Sequence, residues 1–483
     1  MMQLKDPSLF REQCFINGEW VGEGADEVMN PATGDLIGKV PDLGADETRL
    51  AIEKADEAFK SWSKLLAKER AVILHKWHDL IVENADDLAL ILTLEQGKSL
   101  ADAKGEVLHG ASFIQFFAEE GRRVYGETIP THRADSRVVV IKQPIGVTAA
   151  ITPWNFPSAM ITRKVPPALA VGCTTVMKPA PDTPFSALAL AVLAERAGIP
   201  KGVFNVVTGD APSIGQEMCS NPTVRFMGFT GSTAVGKILM KQCADTVKRV
   251  GMELGGNAPF IVFDDADIDQ AVEGAMQSKY RNSGQACVCA NRIYVQEGIF
   301  DEFAAKMVEA VSKLKVGAGI EEGTTQGPLI NMAAVEKVED HVNDAVVHGG
   351  KVLIGGKRHE LGGSFFEPTV VAGATLDMKV SREETFGPLA PLFRFKDEEE
   401  VIKLANNVWA GLAAYFYSRD IGRVWRVAEA LEYGMVGINV GILAAAEVPF
   451  GGVKESGIGR EGSHHGVEEF LEMKYMLMSG IQG

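Results

Sequence analysis

Cysteine is scarce: there are six in 483 residues, at 14, 173, 219, 243, 287 and 289, with no Cys-x-x-Cys and no His at ligand spacing. That excludes a disulfide-stapled scaffold and argues against zinc, and no metal is expected. Long apolar runs are missing too. The longest clean one, about Phe185 to Ala194, falls far short of the roughly 18 residues that a membrane-spanning helix needs, so no membrane partner is expected. The start, Met1-Met2-Gln3-Leu4-Lys5-Asp6-Pro7, lacks the apolar core of a secretion signal, which predicts a reducing, cytoplasmic location. Positive charge is in deficit: 48 Lys and Arg stand against 64 Asp and Glu, a net charge of −16, which repels a polyanion and argues against a nucleic-acid partner. What is present is an ordinary globular composition, 46% hydrophobic and 23% charged.

Leu50, Ile52, Ala55, Ala58 and Phe59 give 48–62 a helical period, and 68–94 repeats it over a longer amphipathic run, so the N-terminal region is predicted to be mainly helical. From Val138 the pattern changes. Segments 145–151, 174–177, 203–206, 225–229 and 249–252 read as buried strands, with helices at 160–171, 185–197 and 233–243 between them. Such alternation predicts right-handed βαβ units on a parallel, doubly wound sheet. A second alternation begins near Pro259, with strands at 260–263, 292–295, 392–395, 413–417 and 436–440 and helices at 268–279 and 300–314. The apolar run 138–141 lies outside both and can pair with 470–478 as an edge hairpin or oligomer arm.

The chemistry-bearing residues stand at predicted strand ends. Phe229-Thr230-Gly231-Ser232-Thr233-Ala234-Val235-Gly236 joins a strand to a helix, so backbone N–H groups and the Ser232 hydroxyl can face a phosphate at the positive helix end. Its glycines are four residues apart, unlike G-x-G-x-x-G, and alone such a turn is as often structural. Lys178 ends another strand and either holds ribose or phosphate or is a solvated strand-end lysine. Gly284-Gln285-Ala286-Cys287 places a thiol after small residues, either as a nucleophile or as a small buried apolar group. Glu253 follows an apolar strand, as a general base whose pKa burial would raise or as a paired core charge. Asn155, in Trp154-Asn155-Phe156-Pro157, is an oxyanion donor or an Asx-turn residue. Together they compose a covalent-catalysis site beside a dinucleotide.

With these residues in view, the chain resembles the NAD(P)-dependent aldehyde dehydrogenases over essentially its whole length. The resemblance rests on Asn30-Pro31-Ala32-Thr33-Gly34, Pro153-Trp154-Asn155-Phe156-Pro157, Phe229-Thr230-Gly231-Ser232-Thr233, Glu253-Leu254-Gly255-Gly256, Gly284-Gln285-Ala286-Cys287, Glu384-Thr385-Phe386-Gly387-Pro388 and Pro449-Phe450-Gly451-Gly452. It implies an α/β fold of two doubly wound domains plus a small β arm. Residues 1–125 and 144–255 would bind the dinucleotide, 256–445 would carry the nucleophile, and 126–143 with 446–483 would form an oligomerisation arm and tail in a homodimer or homotetramer. It further implies that Cys287 attacks the aldehyde, that Asn155 and the Cys287 backbone N–H hold the oxyanion, and that hydride passes to NAD or NADP. Glu253 would activate the deacylating water and Glu461 relay protons. Lys178 and Glu384 would contact the cofactor riboses, Ser232 the pyrophosphate and Phe386 the nicotinamide side, with Trp154 and Gly231 also binding the cofactor.

Within the family, Cys287-Val288-Cys289-Ala290-Asn291-Arg292, Ile161-Thr162-Arg163-Lys164 and Tyr280-Arg281-Asn282 resemble the succinate-semialdehyde and glutarate-semialdehyde dehydrogenases. In that group, arginines matching Arg163 and Arg281 grip the distal carboxylate of the substrate, a charge-assisted contact, and Phe450 would line the same site. The pair Cys287 and Cys289 resembles one that forms a reversible disulfide in some members. Two positions depart from the group: Ala444 stands where a Ser usually donates to the carboxylate, and Pro181 where NAD-preferring members often have Glu. The expected substrate is a short aldehyde with a distal anionic group, succinate semialdehyde first, with glutarate semialdehyde or a sulfonated aldehyde such as sulfolactaldehyde as alternatives. A cofactor-independent thiol esterase is a distant reading that the phosphate loop opposes.

Overall fold

Strands that are apolar on both sides need cover on both sides, and the chain meets that need twice. In the computed structural model, which describes residues 3–481, the strands Val147–Ile151, Thr174–Lys178, Phe204–Val206, Val224–Thr230 and Arg249–Glu253 run parallel within an eight-stranded sheet. Successive residues alternate faces. Ala150 and Met177 join a core under the helices Ala67–Glu83, Ala159–Val171 and Phe185–Ala197, whereas Ala149 and Val176 join the opposite core under Ala45–Trp62 and Ala211–Ser220. Numbered in chain order, these five strands lie 3-2-1-4-5 across the sheet. The order therefore reverses between Val147–Ile151 and Val224–Thr230, and the crevice beyond their carboxyl ends is where such sheets bind ligands.

The second sheet has seven strands, in the order Lys351–Ile354, Thr369–Ala372, Leu389–Phe395, Ala290–Gln296, Ala258–Val262, Ala413–Tyr417 and Met435–Ile438. All pairings but the first are parallel. Phe260 and Val262 face one core and Ile261 the other. The expected pairing is also there: Ser136–Pro144 pairs antiparallel with Leu471–Ser479, from Pro144 opposite Leu471 to Ser136 opposite Ser479, and Glu127–Ile129 completes a three-stranded sheet.

Elsewhere the structure corrects the periodic reading. The run 68–94 is two helices, Ala67–Glu83 and Ala85–Gln96, because Asn84 leaves helical geometry (φ −101°, ψ 16°) while its side-chain amide donates to the Leu80 carbonyl at 2.8 Å. Before residue 45, apart from the 3-10 turn Pro7–Leu9, the chain is stranded. Cys14–Ile16, Glu19–Val21, Asp26–Met29 and Leu36–Val40 are too short for alternation to register, and Phe15 opposite Val206 adds the first of them antiparallel to the sheet edge. Near the other end, Gly457–Ile458 pairs antiparallel beside Glu253, and Val453–Lys454 pairs with Ala410–Gly411. No helix among the described residues is long and apolar enough to cross a membrane.

Candidate active site

Cys287 stands between the turn Arg281–Gly284 and the strand Ala290–Gln296, and it lines two cavities at once, one of about 390 Å³ and one of about 330 Å³. The backbone leading to it is strained: Asn282 and Ser283 have φ of 51° and 54°, a conformation that costs a non-glycine residue on the order of 1 kcal/mol or more. The Asn282 side-chain amide holds this turn by donating to the carbonyls of Asn155 (2.9 Å) and Gln285 (3.2 Å). A Cβ at Gly256 would lie 2.3 Å from the Cys287 carbonyl oxygen, so only glycine lets the two segments approach. Burial pushes the Cys287 thiol up to about 12, with Glu384 and Glu253 adding to it and Arg163 and Arg281 opposing. The resting thiol is protonated, and a base must take its proton before it can attack.

The 390 Å³ cavity is walled from both sheets and gathers Trp154, Gly231, Ser232, Glu384 and Phe386. Trp154 and Phe386 meet edge to face at 5.5 Å. Ser232 caps the helix Thr233–Cys243, its hydroxyl accepting from the Val235 N–H at 3.4 Å. Glu384 accepts from the Gly256 N–H at 3.1 Å, and burial raises its carboxyl to about 7. A helix start for phosphates, a carboxylate for hydroxyls and an aromatic wall fit a dinucleotide. Lys178 is not among the lining residues: buried at its strand end, it donates to the Pro179 carbonyl at 3.2 Å. Pro181 lies with Asp182 on a separate cavity of about 590 Å³.

Asn155 is buried and its amide donates to the Gln285 carbonyl at 3.0 Å, which ties its loop to the cysteine turn. Glu253 ends its strand facing a third, small cavity shared with Arg163, Lys164 and Glu461, not the two that Cys287 lines. One of its carboxylate oxygens has no hydrogen-bond partner within the protein, and burial together with the Glu461 charge pushes its carboxyl well above the ordinary range. Glu461 moves the other way: burial would raise it, but Lys164 and Arg163 outweigh burial and hold it low. Lys164 donates to one Glu461 oxygen, and Arg163 Nη2 sits 2.7 Å from the other.

The 330 Å³ cavity, on the other side of Cys287, is lined by Arg163, Arg281, Phe450 and Ala444. Arg163 is buried with its guanidinium 3.8 Å above the Phe450 ring, whereas the Arg281 guanidinium lies 5.1 Å from the Phe156 ring. Cys289 lines neither cavity; its Sγ turns inward toward the carbonyls of Lys279 and Ala290 at 3.5 and 3.6 Å.

The sequence reading missed the helix Leu100–Glu120, which turns Asp102, Glu106 and His109 into this cavity. Lys98 pairs with Glu106 at 2.6 Å and donates to the Asn155 carbonyl at 2.7 Å, both partners fully buried. The other Glu106 oxygen accepts from the N–H groups of Ser158 (2.9 Å) and Ala159 (3.2 Å), the start of the helix that carries Arg163. One ion pair thus positions Asn155 and Arg163 together. The available signal was a set of charged residues recurring every four positions at 98, 102 and 106, the last two on one face of the helix.

Comparison with known proteins matches residues 20–476 to the profile of the aldehyde dehydrogenase family. The chain is 63% identical over 481 residues to the succinate-semialdehyde dehydrogenase [NADP(+)] GabD of Escherichia coli (strain K12), covering 99% of this chain and 100% of that one. It is 62% identical over 483 residues to a glutarate-semialdehyde dehydrogenase of Pseudomonas aeruginosa, with 99% and 100% covered, and 61% identical over 484 residues to a 3-sulfolactaldehyde dehydrogenase of Pseudomonas putida, with 100% of each covered. Among solved structures, the succinate-semialdehyde dehydrogenase from Burkholderia pseudomallei superposes with a TM-score of 0.98 at 62% identity, over 99% of this chain and 100% of that one.

Proposed function

The chain belongs to the aldehyde dehydrogenase family, and from that premise we propose that it oxidises a short aldehyde with a distal anionic group, succinate semialdehyde first, to the corresponding acid. One observation carries the reading: the Cys287 thiol stands where a dinucleotide-shaped cavity meets a cavity edged by two guanidiniums. In the proposed division of labour, the first sheet and its loops hold the cofactor, with Ser232 and Gly231 at the pyrophosphate, Glu384 at a ribose and Trp154 and Phe386 flanking the nicotinamide. The second sheet presents the nucleophile. Bound NAD(P)+ supplies the hydride acceptor.

The residues then divide the reaction as follows. Glu253 rotates from its small cavity toward Cys287 and takes the thiol proton, and the thiolate attacks the carbonyl carbon. The Asn155 amide and the Cys287 backbone N–H donate to the oxyanion, worth about 3 kcal/mol per donor in comparable sites. Loss of hydride from that carbon leaves a thioester. Glu253 first passes the thiol proton out by way of Glu461 and, ionised again, takes a proton from water; the resulting hydroxide attacks the thioester carbon, and the acid leaves as the thiolate returns. Lys164 and Glu461, in contact with one another beneath Glu253, give that proton a way out. The exposed strand Leu471–Ser479 would join subunits into a dimer or tetramer, and six free cysteines suit a reducing, cytoplasmic setting.

Because two charge-assisted contacts are available, the kcat/KM for succinate semialdehyde is expected to exceed that for butanal by at least about a hundredfold. A panel of carboxylated, sulfonated and uncharged aldehydes, each assayed with NAD+ and NADP+, checks this. Equal turnover of charged and uncharged aldehydes would reject the anionic substrate. A sulfonated aldehyde is the second reading, favoured by Ala444, which offers no hydroxyl to a planar carboxylate while two guanidiniums still suit a three-oxygen anion.

A further inference from the structure

Few donors on the wall of the 330 Å³ cavity are free. Lys98 is engaged by Glu106 and the Asn155 carbonyl, and Arg163 is paired with Glu461 and pressed against Phe450. Val288, Ile442, Ala444 and Phe450 have no side-chain donor to offer. Arg163 keeps Nε and Nη2 without a hydrogen-bond partner, but both are buried; of the other groups, the Arg281 guanidinium and the His109 imidazole have, among the described residues, neither a side-chain hydrogen-bond partner nor a carboxylate in salt-bridge contact. His109 lies about one turn beyond Glu106 on the helix Leu100–Glu120 and faces the same cavity, half-buried. The Phe113 ring, one turn further on, meets it edge-on at 5.1 Å and so sets its plane.

The charges around the imidazole have a clear sign. Burial pushes His109 down to about 4, Arg163 and Arg281 push it further, and Glu447 opposes them. The other charged groups on the cavity wall are Asp102 on its own helix and the mutually neutralising pair Lys98 and Glu106. Beside the imidazole the same cavity is lined by the guanidiniums of Arg163 and Arg281, and their charge in a partly desolvated pocket attracts an anion. The imidazole stays a neutral donor, able to turn one N–H toward that anion without first shedding a carboxylate of its own.

Building on the anionic-substrate reading above, we propose that His109 and Arg281 together bind the distal anionic group of the aldehyde, a carboxylate or sulfonate, and that His109 is a specificity-determining residue of this enzyme. Arg163, whose Nη2 lies 2.7 Å from Glu461, supplies the second guanidinium charge of the site.

The test is the ratio of kcat/KM for succinate semialdehyde to that for butanal, four-carbon aldehydes with and without the carboxylate, in the wild-type holoenzyme and in two variants. His109→Phe keeps an aromatic ring and loses the donor, and its ratio is expected to fall about tenfold or more, with the loss carried by KM rather than kcat. His109→Gln keeps a donor of similar reach and is expected to retain most of the wild-type ratio. If His109→Phe does not fold, His109→Asn, too short to reach, replaces it and is expected to lose the ratio that Gln keeps. A wild-type ratio near one would overturn the anionic-substrate reading and this inference with it. A high wild-type ratio that persists in Phe or Asn would leave that reading standing and overturn the role of His109 alone.

Discussion

Glu253 and Glu461 lie in one buried cluster and are driven in opposite directions, Glu253 upward by burial and the Glu461 charge, Glu461 downward by Lys164 and Arg163 against burial. Burial and the Glu461 charge keep Glu253 protonated above the ordinary carboxylate range, so its work as a base should appear as an acid limb in the pH profile of kcat. Glu461→Gln removes a negative neighbour and leaves Lys164 and Arg163 without their partner. Both changes favour the ionised form of Glu253, so the acid limb is expected to move to lower pH; a pH–rate profile in which it stays put or moves up would mean that Glu461 does not set the protonation of Glu253. Much of this site was legible residue by residue. Cys287, Asn155 and Glu253 are bounded by glycine or proline turns at strand ends, where the backbone limits what a side chain can do. Direction was not legible: Lys178 and Cys289 are near the site in sequence, but each turns into the protein, toward a backbone carbonyl.

At the scale of elements, fully buried strands were readable because apolar β-branched runs have few other homes, whereas the four strands before residue 45 were too short to show a period. The helix Leu100–Glu120 was missed for another reason. Its glycines at 105 and 110 and its buried charges disguise an apolar face that Val107, Ala111, Ile114 and Ala118 otherwise mark. Those charges matter because the pair Lys98–Glu106 is fully buried, and removing one partner of such a pair destabilises by about 3–5 kcal/mol by leaving the other charge uncompensated. Glu106→Leu and Lys98→Met should each show that loss in equilibrium urea unfolding, while the double variant should lose clearly less than the two combined. Additive losses would mean that the two residues support the fold independently. Because Glu106 also caps the helix that bears Arg163, and Lys98 holds the Asn155 carbonyl, each single variant is expected to lower turnover even where it remains folded.

The whole molecule ends its three-stranded sheet with Leu471–Ser479 at an open edge, and that strand exposes Met473 and Tyr475 at 73% each and Leu477 at 45%. A long, exposed apolar edge offers a row of unpaired backbone groups and invites a second chain. The pull must overcome repulsion between copies that each carry a net charge of −16, which added salt weakens. The strand is also anchored inward: Arg249 donates to the Leu471 carbonyl at 2.7 Å and pairs with Glu472 at 3.1 Å, and Arg249 begins the strand that Glu253 ends. The exposed edge strand and Glu253, the proposed general base, are therefore tied to one element. In the double variant Met473→Glu/Tyr475→Glu, two more negative charges on this strand should drive the assembly to its 52.0 kDa protomer, and low ionic strength should strengthen the effect. Sedimentation velocity at several salt concentrations reads the mass directly. Wild type and variant with the same mass at every salt concentration would remove this strand from the subunit interface.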